Sequence, residues 1–214
     1  MNATVGVTTQ YSAQELTSIS TLISNILIPG DADGTGSIAL LASRLFSRDL
    51  LVSEGGPERL APALSKALTA GKVFTAMIVS GGAVSRNGQT IDSALNPAWR
   101  RTATHITIGT GWDPSASLAE QDAIKKVVAE DVRLLRSIEE PQEMGAYLNE
   151  AYAYEEDFQL SFWGSNYPRL YAIKQKWDPT GLFITRKGVG SEDWDEEGLC
   201  RVNVSLQINS SSEL

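Results

Sequence analysis

Apolar residues recur along this chain with two different periods, and the switch between them predicts helices alternating with strands. Leu16, Ile19, Leu22, Ile23, Ile26 and Leu27 follow a Ser12-x-x-Glu15 capping box at helical spacing, predicting a helix over 13–28 that Pro29-Gly30 stops. A second capping box, Ser117-x-x-Glu120, opens a longer helix with Ile124, Val127, Val128, Val132, Leu135 and Ile138 on one face, closed by Pro141. Between them, residues 57–70 form an amphipathic helix with Leu60, Leu64, Ala67 and Leu68 inward and Gly71 at its C′ position. Residues 73–79 and 103–112 are β-prone; the first ends at Gly81-Gly82 and the second alternates. Residues 38–46 are mixed apolar and fit either a strand or a helix.

Strands interleaved with helices, without a glycine-rich turn between strand and helix, predict an α+β fold with an antiparallel sheet. The pattern divides the chain into a helix and loop over 1–37, a sheet-bearing region over 38–140, an aromatic segment over 141–195 and a flexible polar tail over 196–214, whose start contains a strand-like scrap. The loop at 30–37 begins Asp31-Ala32-Asp33-Gly34 like a calcium loop, but Ala42 stands where the twelfth-position Glu is required, so it reads as a solvated turn.

At 214 residues the chain can bury one sizeable core, or one core with an appendage. A net charge of −8 argues against nucleic-acid binding, which draws its affinity from basic side chains. No run of about 18 uncharged apolar residues occurs, so no membrane-spanning segment is expected. The first ten residues lack the basic start and apolar block of a signal peptide, and nothing else assigns a compartment. Single cysteine Cys200 excludes an intramolecular disulfide, and the N-x-S/T triplets at Asn2, Asn203 and Asn209 matter only in a secreted protein.

Few residues can carry chemistry alone. His105 is the only histidine and lies in a predicted strand, where a packed or edge role is expected; no G-x-S-x-G elbow accompanies it. One His and one tail Cys cannot build a metal site, and no nucleotide-cradling glycine loop of the G-x-G-x-x-G or G-x-x-x-x-G-K-[ST] type is present. The acidic runs 155–157 and 192–197 read as solvated surface.

The segment 145–194 is denser in information. It holds three of the five Trp, with Tyr147, Asn149, Asn166 and Tyr167 among them. Asn166 is positioned to cap a helix over 167–176 with Pro168 in its first turn, and Asp178-Pro179-Thr180-Gly181 marks a tight turn. Read as a strand, 147–149 would put the Tyr147 and Asn149 side chains on one face. Composition alone favours an ordinary aromatic core, since buried rings are the commoner use of such residues.

The order of the residues points further. Y-x-N-E, W-G-x-N-Y-x-R-L, I-K-x-K-W-D-P-x-G-L-F and G-V-G-S-E-D-W follow one another over about fifty positions, with weaker echoes upstream in 42–51 and in N-P-A-W-R-R-T (96–102). This order closely resembles the C-terminal segment of the berberine-bridge-enzyme-like flavoproteins, FAD-linked oxidoreductases of the vanillyl-alcohol-oxidase superfamily. The resemblance implies part of an antiparallel substrate domain plus the berberine-bridge-type segment, FAD as cofactor, a small-molecule substrate, and hydride transfer from substrate to flavin. It places Tyr147 at the substrate side of the flavin and Asn149 on the cofactor, with Asn166 and Tyr167 near the cofactor domain; Arg169 and Lys174 match as well and read as exposed helix charges. Many relatives carry a second Tyr where this chain has Glu150. The family's FAD-binding domain is not in this sequence, so the resemblance leaves a truncated gene model, a separately encoded half, with a separately encoded FAD-binding half as its partner, or a relic with no activity. The alternative is a non-catalytic binding or interaction module that retained the fold and lost the cofactor.

Overall fold

The computed structural model describes residues 18–22, 39–69, 72–88, 90–140 and 144–202. Residues 1–37 and 38–214 are separate compact units. Of the first, the described part is a helical turn, α1 (Ile19–Leu22), within the helix expected over 13–28. The rest of that helix, the 30–37 loop, Gly71, Pro141 and the sequons lie outside the described residues.

The second unit is organised by a three-stranded antiparallel sheet of order β1-β3-β2: β1 (Leu40–Ser47), β2 (Val73–Met77) and β3 (Thr102–Thr110). The expected α+β class is what the chain adopts. The ambiguous run 38–46 is thus a strand. Its core face carries Leu40, Ala42 and Phe46, against Ile106 and Ile108 of β3.

Helices α2 (Arg48–Val52), α3 (Gly56–Ala67) and α5 (Leu118–Arg136) cover that face; the short α4 (Gly82–Asn87) has no buried residue. The capping box of α5 forms as expected, the Ser117 N–H donating to Glu120 Oε2 at 2.8 Å while Ser117 Oγ accepts from the Glu120 N–H at 3.4 Å. Val128, Val132, Leu135 and Ile138 bury themselves on the sheet. Val127, expected on the same stripe, is exposed, because it sits about 100° around the helix from Val128. The stripe instead admits Asp131, which is buried and accepts from Lys72 Nζ at 2.5 Å. Helix α3 ends at Ala67, short of the expected 70, and leaves Leu68 partly exposed.

A second, aromatic cluster lies in the C-terminal segment. Phe158 and Phe162 of α6 (Phe158–Trp163) and Tyr167 of α7 (Tyr167–Trp177) bury together with Ala146, and Trp163 and Tyr171 pack against them. Their rings meet edge-on or tilted at 5.6–6.5 Å, the arrangement that ring quadrupoles favour. The Asp178–Gly181 turn closes with Gly181 at φ +73°, where a Cβ would strike the Trp194 ring. Residues 196–201, expected to open a flexible polar tail, form with Asp195 a turn bridged between Trp194 and Arg201, in which the Asp195 carboxylate accepts the Leu199 and Cys200 N–H groups. No helix among the described residues is long and apolar enough to cross a membrane.

Candidate functional site

The face of the sheet away from the helices collects the polar side chains that matter. Antiparallel register sets Ser43 opposite Thr107 and Leu45 opposite His105, so these residues share the face that Ala42 and Ile106 do not. At the outer edge of β1, Leu45 bridges to Gly145, the Leu45 N–H donating to the Gly145 carbonyl at 2.9 Å. Only glycine fits there without displacement, since a Cβ would lie 2.9 Å from Asn96 Nδ2 and 3.1 Å from Ala98 Cβ. Asn96 secures the junction, donating to the Ser161 carbonyl at 2.9 Å and accepting from the Ala98 N–H at 2.9 Å.

From this anchor the chain turns back over the sheet. Tyr147 begins a 3-10 turn, Leu148–Glu150, and is not in a strand as the sequence suggested; the strand-like pairing ends at the Gly145 bridge and the Glu150 N–H closes on the Tyr147 carbonyl. The turn still brings Tyr147 and Asn149 together, because Asn149 Nδ2 donates to the Tyr147 hydroxyl at 2.8 Å. The Tyr147 ring stands edge-on to both His105 and Trp99, with centroids 5.7 Å away in each case. Trp99 comes from the Pro97–Arg100 turn, inside the N-P-A-W-R-R-T echo.

His105 is buried, as expected, and burial lowers its pKa while the neighbouring Glu150 opposes that shift. Its Nδ1 lies 3.9 Å from Glu150 Oε2 and its Nε2 3.3 Å from Thr107 Oγ1. Thr107 Oγ1 donates to the same Glu150 oxygen at 3.1 Å. The sequence singles out Tyr147 and Asn149 here, and the structure adds Glu150, His105, Thr107 and Trp99 to the cluster. The alternation of β3 places His105 and Thr107 on one face and was the available signal; Glu150 arrives from 43 positions beyond Thr107.

Asn166 and Tyr167 lie apart from this cluster. Asn166 precedes α7 but does not cap it: its amide donates to the carbonyls of Leu95 at 2.8 Å and Ser93 at 3.3 Å. It lines a surface cavity of about 370 Å³ with Asp92, Ser93 and Arg100. The buried Tyr167 hydroxyl bonds Glu192 at 2.6 Å and accepts the Gly190 N–H at 3.0 Å; burial and the Glu192 carboxylate drive its pKa upward. Tyr167→Phe is expected to destabilise the chain by about 1–3 kcal/mol, because the Gly190 N–H and the carboxylate lose a buried partner; urea unfolding measures it. Arg169 pairs with Asp92 on the surface of α7, as an exposed helix charge should, whereas Lys174, expected to be exposed as well, is part-buried and pairs with Asp178. No group of three metal-ligating side chains converges among the described residues.

The donor set around Tyr147 suits a flavin's polar edge and a substrate hydroxyl. Asn149 is exposed and keeps its Oδ1 and a second amide proton free among the described residues, while the fully buried Ser43 hydroxyl on the same sheet face has no partner among them. Comparisons with known proteins bear on the family of the chain. Residues 146–190 match the family described as berberine and berberine like. An uncharacterized FAD-linked oxidoreductase of Arthroderma benhamiae is 47% identical over 169 residues, covering 78% of this chain and 28% of that protein. The FAD-linked oxidoreductase malF of Malbranchea aurantiaca is 42% identical over 80% of this chain and 29% of its own length. A VAO-type flavoprotein of Myceliophthora thermophila C1 superposes with a TM-score of 0.70 at 29% identity, over 78% of this chain and 30% of that one. The chain thus spans about three tenths of the length of these relatives. Segment order, fold and identity agree that the chain belongs, as a C-terminal portion, to the berberine-bridge-like family of FAD-linked, VAO-type flavoproteins.

Proposed function

We propose that this chain forms the substrate-side part of an FAD-linked oxidoreductase that takes hydride from a small-molecule substrate. The observation that carries the reading is the cluster of Tyr147, Asn149, Glu150 and His105 on the helix-free face of the sheet. When bound, the flavin supplies the two-electron chemistry. The chain's residues do the rest. The Tyr147 hydroxyl accepts from Asn149, so its own proton is free to be donated to a substrate oxygen. Asn149 meets the cofactor through its remaining amide proton and carbonyl. Trp99 and the buried His105 wall the Tyr147 ring and fix its direction. Asn166 and Tyr167, whose polar atoms are bonded within the chain, act on the cofactor side by holding the segment in shape.

The FAD-binding part comes from outside these residues, as a further stretch of the same protein or a separately encoded half. Flavin retention tests the reading. The chain alone is expected to emerge from gel filtration colourless, and the chain joined to the FAD-binding part of its Arthroderma relative is expected to carry flavin and to bleach when an oxidisable substrate is added anaerobically. An assembled complex that binds no flavin would favour the second reading, a non-catalytic interaction module derived from the same fold.

A further inference from the structure

We propose that Glu150 is the group that takes the proton from the substrate, with Thr107 and His105 holding its carboxylate in place. This assignment rests on the oxidoreductase reading and names the step that reading leaves open.

Elimination among the buried or part-buried carboxylates leads to Glu150. Glu155 is spent on Arg44 and Ser161, Asp131 on Lys72, Glu139 on Ser47, and Glu192 and Asp193 on Tyr167, Tyr171 and Gln175. Asp178 is spent on Lys174 and the Leu182 and Phe183 N–H groups, and Asp195 on the Leu199 and Cys200 N–H groups. Glu150 stands on the helix-free face beside Tyr147, with its side chain 36% exposed. One of its oxygens, Oε2, takes the Thr107 hydroxyl and faces His105 Nδ1; the other, Oε1, has no partner among the described residues. A carboxylate anchored through one oxygen and free at the other is oriented to accept a proton without losing its anchor.

Tyr147 is set up for the opposite task. Its oxygen already accepts the Asn149 N–H, which leaves it a donor toward a substrate oxygen. The described titratable group packed against the carboxylate is His105, which burial keeps toward the neutral form. A neutral imidazole there does not neutralise the base.

The step this supports is oxidation of an alcohol carbon. The substrate O–H bond breaks and its proton passes to Glu150, which becomes the carboxylic acid. The C–H bond on the same carbon breaks with its electron pair, the hydride leaving to bound FAD. The carbon is oxidised by two electrons to a carbonyl and the flavin is reduced by two.

Two measurements test the assignment. In the flavin-loaded holoprotein, Glu150→Gln is expected to lower kcat by about 10²–10⁴ with KM within a few-fold and the flavin spectrum intact, and Glu150→Asp to retain more turnover than Glu150→Gln. In the chain by itself the single histidine yields one imidazole signal, so its titration followed by NMR reads the pair directly. That titration is expected to move to lower pH in Glu150→Gln, because the carboxylate favouring the imidazolium is gone. Wild-type kcat in a folded, flavin-loaded Glu150→Gln protein, or an imidazole titration identical in the two chains, overturns the proposal. A holoprotein that holds no flavin sinks the oxidoreductase reading and takes this assignment with it; an active holoprotein indifferent to Glu150 sinks this assignment alone.

Discussion

Glu155→Ala is expected to lower the stability of the chain by about 3–5 kcal/mol, the cost of leaving one member of a buried ion pair uncompensated. Both partners are almost completely buried, Arg44 at 1% and Glu155 at 0% side-chain exposure, so the acidic run 155–157 is not all solvated surface as its charge suggested. Arg44 Nη2 bonds both carboxylate oxygens, at 2.8 and 3.0 Å, and Ser161 Oγ donates to Oε1 at 2.6 Å. Arg136 of α5 approaches the same oxygen at 3.8 Å. One carboxylate therefore ties β1, α5 and α6 together. Burial pulls the Arg44 pKa down and Glu155 is the main influence restoring it, so removing Glu155 strands a guanidinium in a dry interior. A loss of that size is a large share of the 5–15 kcal/mol or so that typically holds a domain together. Urea unfolding measures it. Should Glu155→Ala fail to fold, Glu155→Gln keeps the shape and removes only the charge, and its midpoint should still fall. Replacing both partners, Arg44→Met with Glu155→Met, should recover much of the loss, since a well-packed apolar pair needs no compensation. A Glu155→Ala chain as stable as wild type would mean that water reaches Arg44 in solution.

The same pair shows why part of the fold was legible in the sequence and part was not. The capping box at Ser117 and the turn at Asp178 are local, with both partners a few residues apart, and each formed where the pattern placed it. Strand β1 stayed ambiguous because Arg44 interrupts its apolar face, and the residue that makes Arg44 tolerable there lies 111 positions away. Asn166 had the right type and place for a helix cap, yet the carbonyls of Ser93 and Leu95 take its amide. The site divides in the same way. Tyr147 and Asn149 could be singled out from the order of the segment, and they do meet, though through a 3-10 turn and not a strand. The contribution of β3 was legible only in part, because its alternation puts His105 and Thr107 on one face but nothing local to them announces Glu150. In this chain, spacing fixed what neighbours do, and long-range pairing decided which polar groups face the site.

The hydroxyl and the amide at that site should fail in different ways when removed. In the flavin-loaded protein, Tyr147→Phe is expected to lower turnover by about 10²–10³ while flavin stays bound, the usual cost of losing a donor aimed at a developing oxygen charge. The ring remains, so its packing against His105 and Trp99 is preserved and the loss reports the hydroxyl. Asn149→Ala should weaken flavin retention by about 2- to 10-fold, the equivalent of one hydrogen bond at about 0.5–1.5 kcal/mol. It should slow turnover as well, by a smaller factor, because the 2.8 Å bond from Asn149 Nδ2 is what orients the Tyr147 hydroxyl. The two changes are then not independent. In the double variant the turnover loss from Asn149→Ala should largely vanish, since no hydroxyl is left to orient, whereas its effect on flavin retention should persist in full. Turnover and flavin absorbance, measured across the four proteins of this cycle, separate the two roles. Wild-type turnover in Tyr147→Phe would take the phenol out of the reaction and leave its ring as packing. Additive, equally mild losses in all the variants would mean that neither polar group meets cofactor or substrate, and the aromatic segment would then be core alone.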